Sequence, residues 1–419
     1  MTKAPLETLH PMDPALQQDP YAYYARLRAE APVYFHPKLK MFLVSRLDSV
    51  RRVLGEPLLF SSRWAQTAGV PAVRGAEDEL RKIASQGFAP VDTMLTADPP
   101  RQTRYRKAVG PALSTKRILS YETRIRELTD ACLDTWPAQG RVNVFSTLSI
   151  PLPVRVIAHI LTIPLEREAD VKRWSDDSVA SLGVTITRER ALEAARSIVE
   201  LQQFLADLLE ERQRAPQDDF LSGLAHADFE DEHGHVRKLE IPEMLSIVQQ
   251  LMVAGNETTT KAINEILKLL VENPLEWKLI QEDPAAIPAV IEEGLRLASP
   301  NQGLFRLVTE DTELDGVPIP KGSRLWVMFG SANRDERVFP DPDRFVPTRA
   351  NLGEAVAFGR GAHFCIGAPL ARLELRIVLE QLASRVGTLA FAPGSALEYE
   401  PSFILRGLRT LELEVALRA

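Results

Sequence analysis

The chain has 419 residues, with 50 lysines and arginines against 57 aspartates and glutamates, so its formal net charge is −7. Apolar residues make up 45% and charged residues 26%, a composition that excludes disordered, collagen-like and disulfide-framework proteins. The acidic balance gives no support to a nucleic-acid partner, which would need a basic patch. The sequence has neither the roughly 20 apolar residues of a membrane span nor the apolar core of a signal peptide. We therefore expect a cytoplasmic protein without a membrane anchor.

In chain order, the first predicted elements are two short β runs over 33–35 and 41–44, joined as a hairpin. Asp98 followed by two prolines then predicts the start of a helix with Asp98 as its cap. Apolar residues three and four apart predict helices over 117–136, 165–181, 188–214 and 242–272. The last of these would be about 45 Å long, which indicates a central core element.

After residue 300 the pattern changes to short β runs separated by turns such as Asp315-Gly316 and Lys321-Gly322. A last helix is expected over about 368–386, and the tail alternates like strands. We expect a mainly α fold with a minor β region in one large domain, 1–419. Its β-rich parts would cover about 32–60, 305–330 and 387–417, and its helical parts about 98–300 and 368–386.

The most informative segment is a cysteine-containing loop, Phe358-Gly-Arg-Gly-Ala-His-Phe-Cys-Ile-Gly367. Its glycines let the backbone approach a bulky group, and the helix behind Cys365 favours negative charge on the sulfur. No second cysteine lies nearby in the sequence, which excludes a Cys₂ or Cys₄ zinc site locally. A small buried residue in a turn is the ordinary alternative for a lone cysteine, and we assign Cys132 to that alternative.

This loop resembles the haem-binding loop of the cytochromes P450, Phe-x-x-Gly-x-His/Arg-x-Cys-x-Gly, in which a cysteine thiolate holds haem iron. The matching residues are Phe358, Gly361, His363, Cys365 and Gly367. The resemblance implies a cytochrome P450 fold with haem b as the cofactor and Cys365 as the axial ligand of the iron. It also implies His363 at a haem propionate, Phe358 beside the sulfur, and Gly359 and Gly367 as cofactor-binding residues.

The long predicted helix carries an unfavourable run, Ala254-Gly-Asn-Glu-Thr-Thr259. A glycine inside a helix costs about 1 kcal/mol relative to alanine, and the Thr258 hydroxyl can bond back to the Ala254 carbonyl. A harmless flaw is the alternative interpretation. By resemblance this run is the P450 acid–alcohol pair, in which Glu257 and Thr258 deliver protons during dioxygen activation. Ala254 and Gly255 would then leave room for oxygen beside the haem, and Glu257 stands where the family more commonly has aspartate.

Glu293 and Arg296 are three residues apart, on one face of a predicted helix. Taken alone, such a pair is usually an ion pair on the surface that contributes little. The Glu-x-x-Arg motif of the P450s falls at this place, and Pro342-Asp-Arg-Phe345 matches the segment that supplies its third member. The resemblance therefore implies a structural network of Glu293, Arg296 and Arg344 behind the haem.

Two arginines hold positions at which the P450s have propionate-binding arginines, Arg106 and Arg306. Guanidinium groups suit carboxylates because two of their N–H groups can bind both oxygens. Gln102 stands where the family often has histidine, and it can still donate a hydrogen bond, so we include it among the cofactor-binding residues. A solvated surface position is the alternative for each arginine taken alone.

The resemblance implies a monooxygenase that inserts one atom of dioxygen into a lipophilic small molecule of terpenoid, steroid or aromatic type, by hydroxylation or epoxidation. Electrons would come from NAD(P)H through an external ferredoxin and its reductase, and the protein is expected to be a monomer. Gln250 is a candidate for binding a substrate oxygen. The candidate pocket residues come from the variable segments of the family and are mostly apolar: Trp64, Leu182, Gln250, Val253, Leu304, Phe305, Phe403 and Ile404.

Other functions are compatible with parts of this pattern. A cysteine hydrolase using Cys365 and His363 is disfavoured, because residues two apart in a tight loop rarely orient as nucleophile and base. A non-catalytic haem sensor would not need the Glu257–Thr258 pair. An oxygen-independent haem-thiolate isomerase and a peroxygenase stay open as alternatives at this point.

Overall fold

The structure is a computed structural model that describes residues 5–63, 75–180 and 186–418. Helices make up most of it, which confirms the expected mainly α class. The helices are α1 Pro14–Gln18, α2 Tyr21–Glu30, α3 Leu47–Gly55, α4 Glu77–Ala84, α5 Arg101–Val109, α6 Thr115–Ser120, α7 Glu122–Leu133, α8 Pro151–Ile160, α9 Glu168–Val179, α10 Arg188–Arg214, α11 Phe220–Ala225, α12 Ile241–Glu272, α13 Pro274–Glu282, α14 Ile287–Ala298, α15 Phe329–Ala332 and α16 Ala368–Arg385.

The minor β region consists of small sheets. The strands are β1 Val33–His36, β2 Met41–Val44, β3 Phe60–Ser61, β4 Gln139–Asn143, β5 Asp228–Glu230, β6 Val236–Lys238, β7 Leu304–Val308, β8 Thr312–Leu314, β9 Val317–Ile319, β10 Arg324–Val327, β11 Val386–Phe391 and β12 Glu412–Leu417. The largest sheet has the order β1-β2-β10-β7-β3, and β11-β12-β4 form a second sheet. The predicted hairpin is present, since β1 pairs antiparallel with β2 from Val33↔Val44 to His36↔Met41.

The long helix α12 begins and ends where the sequence predicts. A capping box forms at its start, because the side chain of Glu240 accepts from the helix backbone while the Glu243 side chain accepts from the Glu240 backbone. Asn273 ends the helix, and Pro274 begins the next one. Helices α8, α9, α10 and α14 all contact α12, so it forms the centre of the helical core.

Other predicted boundaries differ from the structure. The helix expected over 117–136 is divided into α6 and α7 at Tyr121, and the one expected over 165–181 begins only at Glu168. Asp98 does not cap α5, because its carboxylate accepts from Ser61 and from the Ser62 backbone. The helix begins at Arg101, and Pro100 stands at the N-cap position. The bond between Ser61 and Asp98 ties the start of α5 to β3. Among the described residues, no helix combines the length and the apolar character that crossing a membrane requires.

Candidate active site

The loop that carries Cys365 lies between a short 3₁₀ turn, Gly361–His363, and the start of α16. The backbone N–H of Cys365 donates to the Phe358 carbonyl at 2.9 Å. Burial raises the pKa of the Cys365 thiol, although hydrogen bonds from the backbone N–H groups of Gly367 and Ala368 oppose this. The N–H groups thus favour a thiolate, as the sequence predicts, while desolvation acts in the opposite sense and is the larger effect. A coordinated metal cation is the kind of partner that deprotonates such a thiol.

Two glycines give the loop its path. Gly359 and Gly361 both have a φ of +70°, a conformation that side-chain-bearing residues rarely adopt. A β-carbon at Gly361 would lie 2.7 Å from the Leu54 carbonyl oxygen of α3, whereas one at Gly367 would lie 3.8 Å from the Cys365 Sγ atom. The loop therefore packs directly on the end of α3, and the sulfur has room beside Gly367.

Phe358 is fixed by aromatic and cationic neighbours. The Arg372 guanidinium lies 4.6 Å from the centre of the Phe358 ring and forms an ion pair with Glu292 at 2.6 Å. The Phe364 ring meets the Phe358 ring edge-on, with 6.4 Å between centroids. These contacts hold Phe358 at the start of the cysteine loop.

Three basic side chains converge near this loop. Arg306 is only 4% exposed, and within the described ranges no carboxylate forms an ion pair with it. Burial lowers the pKa of the Arg306 guanidinium to about 10, and Asp98 only partly offsets the effect. Burial and the charges of Arg306 and Arg106 lower the pKa of His363 to about 4. The cluster is thus rich in hydrogen-bond donors and poor in negative charge.

Gln102, His363 and Arg106 each contact other parts of the protein. The amide nitrogen of Gln102 donates to the Ala362 carbonyl at 2.6 Å, so this side chain braces the cysteine loop, and its contact with the cofactor stays a prediction. His363 Nε2 lies 3.0 Å from the Ser62 hydroxyl, and an Arg106 Nη1 donates to the Phe364 carbonyl at 2.8 Å.

The middle of α12 faces open space. The Thr258 hydroxyl donates to the Ala254 carbonyl at 2.7 Å, as the sequence predicts. Ala254 is exposed, although it lies halfway along a helix of the core. A β-carbon at Gly255 would lie 3.8 Å from Ile157 of α8, an ordinary packing distance, and the role of Gly255 beside the cofactor stays a prediction. Glu257 forms an ion pair with Lys261 at 3.3 Å.

The Glu-x-x-Arg pair is fully buried and has a different third member from the one expected. Arg296 binds both oxygens of Glu293, at 2.7 and 2.8 Å, and Arg349 Nε lies 3.0 Å from the same carboxylate. The Arg344 side chain is 75% exposed and faces Asp341; only its backbone carbonyl accepts from Arg296. Arg344 is therefore wrong as the side-chain partner, because the irregular segment directs the Arg349 side chain inward instead.

The candidate pocket residues have different surroundings. Trp64 and Leu182 lie outside the described residues. The Gln250 amide oxygen accepts from Thr93 at 3.1 Å. Val253, Leu304 and Phe305 are half-buried. Ile404 is 1% exposed within a buried cluster that includes Trp326, and the Phe403 ring packs edge-on to Trp326 at 5.0 Å. The place of both residues in the pocket stays a prediction.

Sequence reasoning missed several residues of this region. Arg349 lies in an irregular segment, where no helical or strand periodicity predicts which side chains turn inward. Nothing in the sequence relates Asp176 of α9 to Glu257. The pairing of Glu257 with Lys261 could have been found, because the two are four residues apart on one helix.

The residues present fit haem, on three observations. Cys365 offers a sulfur surrounded by backbone N–H groups. Arg306, Arg106 and His363 form a cluster short of negative charge, which suits a group with two carboxylates. Ala254 leaves part of the α12 surface exposed, although the helix lies in the core.

Comparisons with known proteins agree with this fit. The family model "Cytochrome P450" matches residues 184–385. Vitamin D(3) 25-hydroxylase from Pseudonocardia autotrophica is 34% identical over 96% of this chain and 95% of its own length. The chain belongs to the cytochrome P450 family.

Two further relatives support the assignment over the full length. Linalool 8-monooxygenase from Pseudomonas putida is 32% identical over 95% of this chain and 96% of its own. The structure of cytochrome P450 CYP109Q5 from Chondromyces apiculatus is 34% identical, with a TM-score of 0.85 over 98% of both chains. As a P450 monooxygenase, the protein uses haem b and dioxygen, with reducing equivalents from NAD(P)H through redox partners.

Proposed function

We propose that this P450 inserts one oxygen atom from dioxygen into a lipophilic small molecule of terpenoid, steroid or aromatic type, by hydroxylation or epoxidation. The observation that carries the proposal is the exposed Ala254, which lies next to the half-buried apolar Val253 and accepts a hydrogen bond from Thr258 of the Glu257–Thr258 pair. Two relatives whose names include vitamin D(3) and linalool, both lipophilic, support the same substrate class.

Cys365 would hold the haem iron through its sulfur. The N–H groups of Gly367 and Ala368 would stabilise the negative charge of its sulfur, and Arg372 would add a nearby positive charge. When bound, the haem supplies the chemistry of oxygen activation, and a thiolate ligand favours cleavage of the O–O bond.

Arg306, Arg106 and His363 are proposed to bind the haem propionates. Arg306 is the principal donor of the three, because it is buried and forms no ion pair within the described chain. Two carboxylates placed there would offset the cost of burying its charge.

Glu257 and Thr258 are proposed to move protons. The Thr258 hydroxyl holds its orientation through the bond to the Ala254 carbonyl, and Glu257 is the nearest acid along the helix. Glu257 would release a proton from its carboxyl group toward the Thr258 hydroxyl, which passes one on into the open space next to Ala254.

The remaining parts of the proposal concern partners and organisation. We propose that a ferredoxin with its reductase supplies the electrons, and that the protein is a monomer. The cytoplasmic location and the single domain 1–419 that the sequence predicts belong to the same proposal.

The first test is the absorbance spectrum of the reduced, CO-bound protein. A strongly red-shifted Soret band is expected for the natural chain and its loss for Cys365→Ala. Cys132→Ala is the matched control and should keep the band, because Cys132 packs in the helical core beside Arg155. An unshifted band in the natural chain, or an unchanged band in Cys365→Ala, would contradict the proposed ligation.

The second test concerns the substrate class. Linalool and vitamin D(3) should each shift the spin state of the ferric haem, whereas the small anion benzoate should not. A shift with benzoate alone would contradict the proposed lipophilic substrate.

A further inference from the structure

A second carboxyl group lies against Glu257. It belongs to Asp176 on α9, a helix that packs on α12, and the Asp176 and Glu257 side chains are within hydrogen-bonding contact of one another. Two ionised carboxylates in contact repel each other, so a hydrogen bond between them requires that one of the two carboxyl groups holds a proton.

A lysine lies on each side of this carboxyl pair. Lys172, one turn before Asp176 on α9, is hydrogen-bonded to it. Lys261, on α12, lies 3.3 Å from Glu257 and 2.6 Å from Glu400 of the C-terminal segment. The five side chains therefore form a continuous chain of charge in the order Lys172, Asp176, Glu257, Lys261, Glu400.

The two ends of this chain differ in their access to solvent. The Lys261 side chain is 2% exposed, and the Glu400 side chain that covers it is 41% exposed. The Asp176 side chain is also 41% exposed, against 15% for Glu257. Water thus reaches Asp176 more easily than it reaches Glu257.

We propose that Asp176 is a positioning residue that shares one proton with Glu257 and replaces the proton that Glu257 releases. This inference rests on the proposed role of Glu257 as a proton donor.

The proton balance needs no other reactant. The shared proton passes from the Asp176 carboxylic acid to the Glu257 carboxylate, so one O–H bond breaks as another forms, and Glu257 then releases that proton toward Thr258. The Asp176 carboxylate then takes a proton from water at its exposed side. No electrons move, and the pair returns to its starting charge.

The surrounding charges suit this role. Burial raises the pKa of Asp176 and the negative charge of Glu257 adds to the effect, while Lys172 opposes it. Burial would lower the pKa of Lys261, but the carboxylates of Glu257 and Glu400 raise it above its usual value. Lys261 therefore stays an ammonium group beside Glu257.

An infrared pH titration of the resting, haem-loaded protein tests the shared proton without turnover. A protonated-carboxyl band that titrates well above the ordinary value of about 4 is expected in the natural chain and should be lost in Asp176→Asn and in Glu257→Gln. Asp170→Asn is the matched control on α9, because Asp170 pairs with Arg167 and Arg173. Buried Glu265 and Glu374 also titrate, but their bands should be the same in every variant.

Each infrared outcome decides the question. Loss of the band in both pair variants, and its retention in Asp170→Asn, supports the shared proton. An unchanged titration in Asp176→Asn overturns it, and so does an equal loss in Asp170→Asn. Since the measurement needs no substrate, a failure of the CO-spectrum test would leave this result readable on its own.

Oxygen consumption driven by NADH, a ferredoxin and its reductase, without added substrate, tests the proton supply. Asp176→Asn should slow it about threefold to tenfold, a fraction of the roughly hundredfold effect of a direct proton donor. The pH dependence of the oxygen-consumption rate should shift to lower pH in Asp176→Asn. Asp176→Glu should restore the pH dependence of the natural chain. The double variant with Glu257→Gln should be no slower than Glu257→Gln alone. Unchanged rates, or losses that multiply in the double variant, would overturn the proposal.

Discussion

Arg349 Nε lies 3.0 Å from Oε1 of Glu293, the same oxygen that accepts from Arg296 at 2.8 Å. The Glu293 side chain is 0% exposed and that of Arg349 is 7% exposed. Arg349 also donates to the carbonyls of Pro340 and Asp341. This one side chain therefore fastens the irregular segment before the cysteine loop to α14.

Arg349→Ala should destabilise the protein by about 3 kcal/mol, because it removes one of two cations from a buried carboxylate. Arg344→Ala is the matched control in the same segment and should change stability by no more than about 0.5 kcal/mol, since its side chain is 75% exposed. Urea unfolding followed by circular dichroism measures both. A larger loss for Arg344→Ala would contradict the assignment of Arg349 as the third member.

The two left-handed glycines of the cysteine loop should respond differently to alanine. Both substitutions carry the roughly 1–2 kcal/mol cost of a left-handed side-chain-bearing residue. Gly361→Ala should cost more, because its β-carbon would lie 2.7 Å from the Leu54 carbonyl oxygen, whereas a β-carbon at Gly359 would lie 3.8 Å from the His363 carbonyl oxygen.

Thermal unfolding and haem content of the two glycine variants provide the measurement. Gly353→Ala serves as the control, because a β-carbon there meets nothing within 4 Å. Equal melting temperatures for Gly359→Ala and Gly361→Ala would mean that the contact with α3 does not constrain the loop.

Regular elements were predictable from the sequence and irregular ones were not. The ends of α12 follow from local chemistry, with Pro242 in its first turn and Asn273-Pro274 at its end. The Glu293–Arg296 pair follows from helical spacing. In the segment over 333–352, by contrast, no periodicity tells which of Arg344 and Arg349 turns inward, so a family pattern was applied to the wrong arginine.

Contacts between distant parts of the chain were the other source of error. Asp98 is a residue type that often caps helices, but its carboxylate accepts from the hydroxyl of Ser61 in β3 and from the backbone N–H of the adjacent Ser62 instead. The neighbourhood of Asp176 and Glu257 depends on how α9 packs on α12, which no local pattern encodes.

Arg306→Leu should speed the loss of haem by at least about tenfold, which corresponds to about 1.4 kcal/mol of binding free energy. The reason is the loss of a buried donor that is proposed to bind a propionate. Transfer of haem to an excess of apomyoglobin measures the rate. Arg324→Leu is the control, because Arg324 lies on the neighbouring strand β10 and is exposed. Equal rates for the two variants would remove Arg306 from the cofactor site.

Glu374 should make the protein less stable as the pH rises. Burial alone raises the pKa of this carboxyl group to about 8, and its Oε2 atom has no hydrogen-bond partner among the described residues. Below about pH 4.5 the folded and unfolded chains both bind the proton, whereas between about 4.5 and about 8 only the folded chain keeps it. The contribution of the Glu374 carboxyl group to the free energy of unfolding is therefore largest at low pH and is lost as the pH rises from about 4.5 to about 8.

Glu374→Gln should remove this slope, because glutamine does not titrate. Between acidic pH and about pH 7, ionisation of this carboxyl group in the unfolded chain lowers the free energy of unfolding of the natural chain by on the order of 3 kcal/mol. The free energy of unfolding of the variant should therefore rise by that amount relative to the natural chain over the same change of pH. Urea midpoints measured from about pH 4.5 to about pH 8 provide the comparison, with the slope against pH as the readout. Parallel curves for the two proteins would show that Glu374 ionises in the folded state as it does in the unfolded chain.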